Sequence, residues 1–219
     1  MKKIYVCLLV FAALLMMGSC GNKTQNVPFD NGDSADFSID STLYGICGDG
    51  TSMNSLQMIT DTGDTLTLDL SMAREKGKVL GGLQVGDRMA VVPNADKTEA
   101  KIVINQSTLL GNWVMPNPID GSDEVGISIK EGGIAESIDQ GSIIYRTWRL
   151  VHGKLEIVLS REGTNDIEEA NIYEIVKLQA DSLVYRDEEE TFEYSRQKPK
   201  ETYGEDIKLE DSSLDEFKL

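Results

Sequence analysis

Downstream of residue 110 the chain repeats one unit, in which apolar and polar residues alternate and a glycine-containing or acidic turn follows. Alternation with a period of two sends one row of side chains to a core and the other to solvent, as in an antiparallel β-strand. After an opening segment, Leu110-Gly111-Asn112-Trp113, the alternating runs cover residues 124–129, 134–138, 143–151, 154–160, 170–178, 182–186 and 191–196. The pattern therefore predicts an all-β domain of eight strands over 110–197, able to close into an up-and-down barrel without edges.

Alternation also indicates which side chains face the interior of this barrel. In the run 154–160 the apolar row is Leu155, Ile157 and Leu159, and in the preceding run it is Ile144, Trp148 and Leu150, interrupted by Arg146. Two interpretations of Arg146 and Arg149 stay open. They pair with carboxylates on the outer surface, or one of them faces an acidic ligand inside the barrel or at its mouth, together with the aromatic residues Trp113, Tyr145, Trp148 and Tyr173.

The Gly111-Asn112-Trp113 segment at the head of a β-meander resembles the start of lipocalin-like domains, which share Gly-x-Trp on their first strand. The likeness extends over about 88 residues and is strongest to the short lipocalin-like domains of Bacteroidota lipoproteins. It implies that Trp113 closes one barrel end, that Gly111 allows a close approach of the chain, and that the domain binds a small ligand without catalysis.

Residues 41–106 are predicted to form a separate small barrel of five strands, at 42–47, 55–60, 65–69, 87–92 and 101–105. A short helical segment follows the third strand, and the order of three strands, a helix and two strands resembles an OB-type barrel. OB folds bind oligonucleotides or oligosaccharides on strands two and three. That face would carry Gln57, Thr60, Thr65 and Thr67 rather than the basic and aromatic side chains that bind single-stranded nucleic acid.

The first 19 residues predict the compartment. A positive start is followed by an apolar run of about 14 residues, 4–17, which suits a signal peptide and is too short to span a bilayer. Gly18-Ser19-Cys20 after it resembles a bacterial lipobox, in which the chain is cut before Cys20 and that cysteine is lipidated. Gly21 stands where inner-membrane retention signals carry Asp. We therefore expect a lipid anchor in the outer membrane, with the periplasmic face slightly favoured over the cell surface.

Two segments lack the pattern of a folded domain. Residues 20–40 are rich in Asn, Asp, Ser and Gly and predict a flexible linker, and 198–219 predict an acidic tail. The formal charge of −16, from 37 acidic and 21 basic residues, disfavours nucleic acid as a partner.

No enzyme class is indicated. The sequence lacks the nucleophile, zinc, P-loop and dinucleotide motifs, and it predicts no metal or cofactor site. The only histidine, His152, is placed at a hairpin tip, and Cys47 is interpreted as a small apolar strand residue rather than a reactive thiol. The acidic run 187–190 is predicted to be a solvated turn, because it lacks the spacing of a calcium loop.

Three hypotheses for function remain. The first is a non-enzymatic lipoprotein whose second barrel binds a small apolar or acidic ligand. The second is a structural module in which both barrels are filled by side chains and the outer surface contacts another envelope protein. The third is a hydrolase that uses a carboxylate or His152, which requires two titratable groups in one cleft.

Overall fold

The computed structural model describes residues 40–121, 123–163 and 167–199. The predicted signal peptide, Cys20, all but the last residue of the predicted linker, and residues 200–219 lie outside these described residues. Within the described ranges, no helix has the length and hydrophobicity needed to cross a bilayer.

The N-terminal part is a six-stranded sheet with the order β3-β2-β1-β5-β6-β4. The prediction of five strands was one too few, because Val79–Leu80 adds a short strand that pairs in parallel with residues 103–104. Two residues are too few to show a period, which is why alternation does not reveal this strand. The six strands are β1 Leu43–Cys47, β2 Ser55–Thr60, β3 Thr65–Asp69, β4 Val79–Leu80, β5 Arg88–Pro93 and β6 Ala100–Asn105.

The N-terminal sheet has a core of its own, formed by the inward row of each strand. Helix α1, Ser71–Glu75, follows β3, and its Ala73 is buried. A parallel bridge joins Asp69 at the end of β3 to Glu99 just before β6, so the two ends of the sheet approach each other. The buried row includes Cys47, Leu56, Met58, Leu68, Met89, Val91 and Val103.

The C-terminal part is a closed antiparallel barrel of eight strands, which confirms the predicted meander. Helix α2, Gln106–Leu109, connects it to β6, and every strand pairs with its neighbours along the chain until β14 returns to β7. The strands are β7 Gly111–Pro116, β8 Glu124–Lys130, β9 Ile134–Ile138, β10 Ile143–Val151, β11 Lys154–Arg161, β12 Glu168–Leu178, β13 Ser182–Arg186 and β14 Thr191–Arg196.

A β-bulge in β10 changes which of its side chains face inward. Tyr145 pairs with Leu159 and Thr147 with Val158, so Arg146 is an extra residue without a cross-strand partner. A bulge shifts the alternation by one residue. The inward row is therefore Ile143, Tyr145, Trp148 and Leu150, whereas the simple alternation predicted Ile144 and Arg146 in it.

The N-terminal sheet covers one end of the barrel and shares its core. Leu80, Ala90, Ile104 and Leu109 belong to the same buried cluster as the inner face of the barrel. Polar contacts complete the junction, since the Tyr44 hydroxyl donates to the Leu150 carbonyl over 2.7 Å and the Gly81 N–H donates to the Leu178 carbonyl over 3.0 Å. We call this end of the barrel the covered end. The opposite end, which contains the turns before β8, β10, β12 and β14, is called the far end.

Candidate functional site

Trp113 closes the covered end of the barrel. Its side chain is fully buried, and its indole Nε1 donates a hydrogen bond of 2.8 Å to the Leu109 carbonyl in α2. The Arg196 guanidinium lies over the ring, 4.2 Å from the centroid, and donates to the carbonyls of Leu110 and Thr108 over 2.9 and 2.8 Å. Trp113 therefore packs as a structural plug and does not line an open binding surface.

The glycine two residues before Trp113 has a steric role. Gly111 has a φ of +132°, and a Cβ built on it would overlap Nη1 of Arg196. A residue with a side chain would displace the guanidinium from the indole ring. The close approach that the Gly-x-Trp segment implied thus involves a side chain on the last strand.

A second glycine makes β7 and β8 sensitive to substitution. Gly126 pairs with Val114, and an added Cβ would overlap the Trp113 carbonyl oxygen. We expect Gly126→Ala to lower the free energy of unfolding by about 1–3 kcal/mol, because backbone cannot move aside as a flexible side chain can. Gly141→Ala is the control, since its Cβ would meet nothing within 4 Å. Equal midpoints for the two variants in urea unfolding would contradict this expectation.

Four tyrosines from four strands meet inside the barrel toward the far end. Tyr145, Tyr173, Tyr185 and Tyr194 are all buried, with at most 8% of any side chain exposed. The rings of Tyr185 and Tyr194 are stacked at 5.5 Å, and Tyr173 lies 4.8 Å from Tyr185. Phe192 packs edge-on against Tyr173 at 5.7 Å. We refer to these five residues as the tyrosine cluster.

Hydroxyl groups of three of the tyrosines adjoin one another. Tyr185 donates to the Tyr194 hydroxyl over 3.2 Å, and Tyr194 is next to Tyr145. Burial, together with the neighbouring phenols, raises the pKa of Tyr173 to about 12 and also raises the pKa values of Tyr185 and Tyr194. These three phenols therefore stay protonated at neutral pH, and a protonated hydroxyl can donate a hydrogen bond to an acceptor.

The structure brings only two of the five predicted ligand residues together. Tyr145 and Tyr173 belong to the tyrosine cluster, but Trp113 is the plug at the covered end, and Trp148 donates from Nε1 to the Lys130 carbonyl over 2.8 Å near that same end. Arg146 is exposed on the outer surface. The predictions missed Tyr185, Tyr194 and Phe192, although alternation in β13 and β14 could have placed the two tyrosines on the inner face.

Arg149 behaves as the surface interpretation expected. Its guanidinium forms two hydrogen bonds with Glu156, of 2.6 and 2.9 Å, across the β10–β11 pair. Hydrogen bonding and charge attraction from Glu156 raise its pKa. Arg149, Trp148, Tyr44 and Arg88 line a groove of about 560 Å³ between the N-terminal sheet and the barrel.

His152 contacts a carboxylate from the start of the described chain. Its Nδ1 lies 3.6 Å from an Asp40 carboxylate oxygen, at the tip of the β10–β11 hairpin. Burial alone would raise the Asp40 pKa, but hydrogen bonds from Thr42 and from the His152 backbone lower it overall. A groove of about 90 Å³ is lined by His152 and by Glu174, whose carboxylate is paired with Lys78 and Arg186.

Comparison with known families identifies the barrel. Residues 105–197 match the family model described as lipocalin-like. The C-terminal barrel belongs to the lipocalin-like family. This domain includes α2 as well as the eight strands, and lipocalin-like folds are typically non-enzymatic and bind small ligands.

A solved structure matches the same part of the chain. The crystal structure of a lipocalin-like protein from Bacteroides thetaiotaomicron VPI-5482 is 32% identical, with a TM-score of 0.38, and the match covers 41% of this chain and 97% of that chain. No curated protein matches the chain.

Proposed function

We propose that this protein is a lipid-anchored envelope protein whose lipocalin-like domain binds a small ligand without catalysis. The tyrosine cluster carries the proposal, because it combines aromatic surface with hydroxyl donors inside a barrel of a ligand-binding family. Its position toward the far end, away from the N-terminal sheet, leaves it on the side of the barrel that the sheet does not cover.

The chemistry of the cluster selects the ligand class. Phe192 and the tyrosine rings offer apolar contact, and protonated hydroxyls donate to an acidic or carbonyl oxygen. A small ligand with an apolar body and one acidic group fits both features. Arg146 has no part in this proposal because its side chain lies on the outer surface.

A second candidate function rests on a different observation. The tyrosines are buried, and none of Tyr145, Tyr173, Tyr185 or Tyr194 lines any of four grooves on the surface of the described residues. A barrel filled in this way suits a structural module whose outer surface contacts another envelope protein. Ligand binding at the cluster therefore requires its side chains to move.

The two candidates are separated by a binding measurement on the full chain. The probe is 1-anilinonaphthalene-8-sulfonate, which has an apolar ring system and one acidic group. Hydrogen bonds to a charged group contribute about 1.5–3 kcal/mol, so the double variant Tyr145→Phe/Tyr173→Phe should bind the probe at least about 10-fold more weakly. Tyr44→Phe is the control, since its hydroxyl bonds to Leu150 at the covered end.

Native mass spectrometry of the protein purified from its own envelope completes this test. We expect a bound small molecule on the wild-type protein and on Tyr44→Phe, and its loss from the double variant. Co-purification of an envelope protein with no small molecule, together with equal probe binding by all three proteins, would instead support the structural module.

We also infer that the N-terminal sheet is OB-like. The order of strands, the helix after β3 and the parallel bridge between Asp69 and Glu99 support this topology. In this proposal the sheet holds the covered end of the lipocalin-like domain. Its exposed face on β2 and β3 carries Gln57, Ile59, Thr65 and Thr67, whereas Thr60, predicted on this face, is buried. This face has no basic or aromatic side chain among these residues, so no nucleic-acid partner is proposed.

The membrane anchor is the third part of the proposal. The short positive start, the apolar run and Gly18-Ser19-Cys20 support lipidation of Cys20 and attachment to the outer membrane, facing the periplasm.

A further inference from the structure

One strand of the barrel has an edge that its neighbour leaves open. Strand β12 pairs with β11 from Glu168 to Tyr173, but its pairing with β13 begins only at Glu174. Among the described residues, no strand pairs with the other edge of 168–173. Such an edge presents backbone N–H and carbonyl groups to any extended chain that approaches it.

A surface groove of about 840 Å³ runs along this open edge. Ala170, Asn171 and Ile172 line one side of the groove, and residues 186–189 line the other. The Asn171 Nδ2 is buried and has no hydrogen-bond acceptor among the described residues. A buried donor without a partner costs about 1–3 kcal/mol, so turning this amide toward a carbonyl oxygen in the groove would be stabilising.

The outer face of the strand is apolar beside the open edge. Ile172 is 51% exposed, and Val176, which lies where β12 and β13 pair, is 45% exposed. A strand added next to Ile172 could place an apolar side chain beside it, and such cross-strand pairs each contribute about 0.2–1 kcal/mol.

The charge around the groove selects the partner. Asp187, Glu188 and Glu189 form its rim, and Glu168 and Glu169 lie on the open part of β12. Backbone N–H groups of Glu189 and Glu190 lower the pKa of Asp187, which keeps its carboxylate ionised. Two cations also line the groove, Lys154 and Arg186, and Arg186 is paired with Glu174 over 2.8 Å. Glu169 is paired with Arg161 over 3.7 Å. The four lining carboxylates still outnumber the two lining cations. The surface therefore favours a cationic partner.

The same charge disfavours two other occupants. A second copy of β12 would bring its own Glu168 and Glu169 against this edge, and like charges placed opposite each other are destabilising. The C-terminal residues 198–219 are rich in Asp and Glu and would meet the acidic rim.

We propose that the open edge of β12, residues 168–173, binds an extended segment of a partner protein that alternates apolar and basic residues. The segment adds a strand to the sheet, as in other cases of β-strand addition. Its apolar side chains contact Ile172, its basic side chains contact the 187–190 turn, and a backbone carbonyl accepts from Asn171.

The test uses fluorescein-labelled peptides and the full chain, with fluorescence anisotropy as the readout. One peptide alternates lysine and valine over six residues, and the other replaces each lysine with glutamate. We expect the lysine peptide to bind and the glutamate peptide to bind at least about 10-fold more weakly, given the cost of like charges at an interface.

Two variants locate the binding on β12. Ile172→Lys adds a positive charge at the open edge and should weaken binding of the lysine peptide by about 10-fold or more. Val176→Lys makes the same change at a similarly exposed residue of the paired segment and should alter binding by less than about 2-fold. Amide hydrogen exchange of residues 168–173 should slow when the lysine peptide is bound.

Three results would overturn the proposal. The first is equal weakening by Ile172→Lys and Val176→Lys, which would mean general charge attraction. The second is no binding of the lysine peptide, or equal binding of the glutamate peptide. The third is a dimer in sedimentation experiments that Ile172→Lys dissociates, which would assign the edge to a second copy.

Discussion

Replacing Trp113 by alanine is expected to lower the free energy of unfolding by about 3–5 kcal/mol. The substitution removes a fully buried indole and leaves a cavity at the covered end. It also leaves the Leu109 carbonyl without its donor and exposes the Arg196 guanidinium. In the wild-type protein, burial lowers the pKa of Arg196. Trp113 contacts α2 and β14 at once, so its loss loosens the junction of the two sheets as well as the barrel.

Urea unfolding followed by far-ultraviolet circular dichroism measures this change. For a chain of this size, each kcal/mol shifts the melting temperature by about 2–4 °C, so a shift of about 10 °C is also expected. Trp113→Phe is the control because it retains most of the apolar contact and loses only the indole donor, and about half of the effect should remain. A Trp113→Ala protein within about 1 kcal/mol of wild type would show that the covered end is held by other contacts.

The strands could be predicted because their pattern is local. A strand with one face in the core repeats with a period of two, and β9, β13 and β14 have the predicted bounds. The period fails where the backbone departs from regular pairing. The extra residue at Arg146 reverses the faces on one side of it, so Tyr145 points inward and Arg146 outward.

The candidate site could be predicted only in part, because it depends on contacts between distant residues. Arg196 reaches Trp113 across 83 positions of the chain, and no local pattern links them. The tyrosine cluster requires the register of β10, β12, β13 and β14 in a closed barrel. A residue's face can be inferred from alternation, but the residue opposite it cannot.

The two ends of the lipocalin-like domain carry different physical properties. The covered end contains the plug and is fixed by contacts with the N-terminal sheet, including the ion pair between Lys78 and Glu174. The tyrosine cluster lies toward the far end, where β12 begins without a partner on the β13 side among the described residues. Regions with fewer backbone pairs open at lower free energy. Movement of the tyrosines is therefore expected on the side where the proposed ligand would enter.

Replacing Cys20 by serine is expected to abolish lipidation completely. A thioether bond to the lipid requires the cysteine sulfur, and each buried CH₂ of the acyl chains contributes about 0.8 kcal/mol to membrane attachment. A single myristoyl chain gives only reversible binding, whereas several chains on one residue make attachment effectively permanent. Loss of this one sulfur therefore removes the entire anchor.

The measurement is incorporation of labelled fatty acid, followed by mass spectrometry of the N-terminus of the product. The wild-type protein should carry label and begin at Cys20, and Cys20→Ser should carry none and retain residues 1–19. Cys7→Ser and Cys47→Ser are matched controls, because they also replace sulfur with oxygen. Cys7 is in the predicted leader and Cys47 is buried in a strand, so both variants should still be labelled. Equal labelling of Cys20→Ser and wild type, or an unlabelled wild-type protein, would contradict the proposed lipid anchor. Neither result would bear on the proposed ligand binding at the tyrosine cluster.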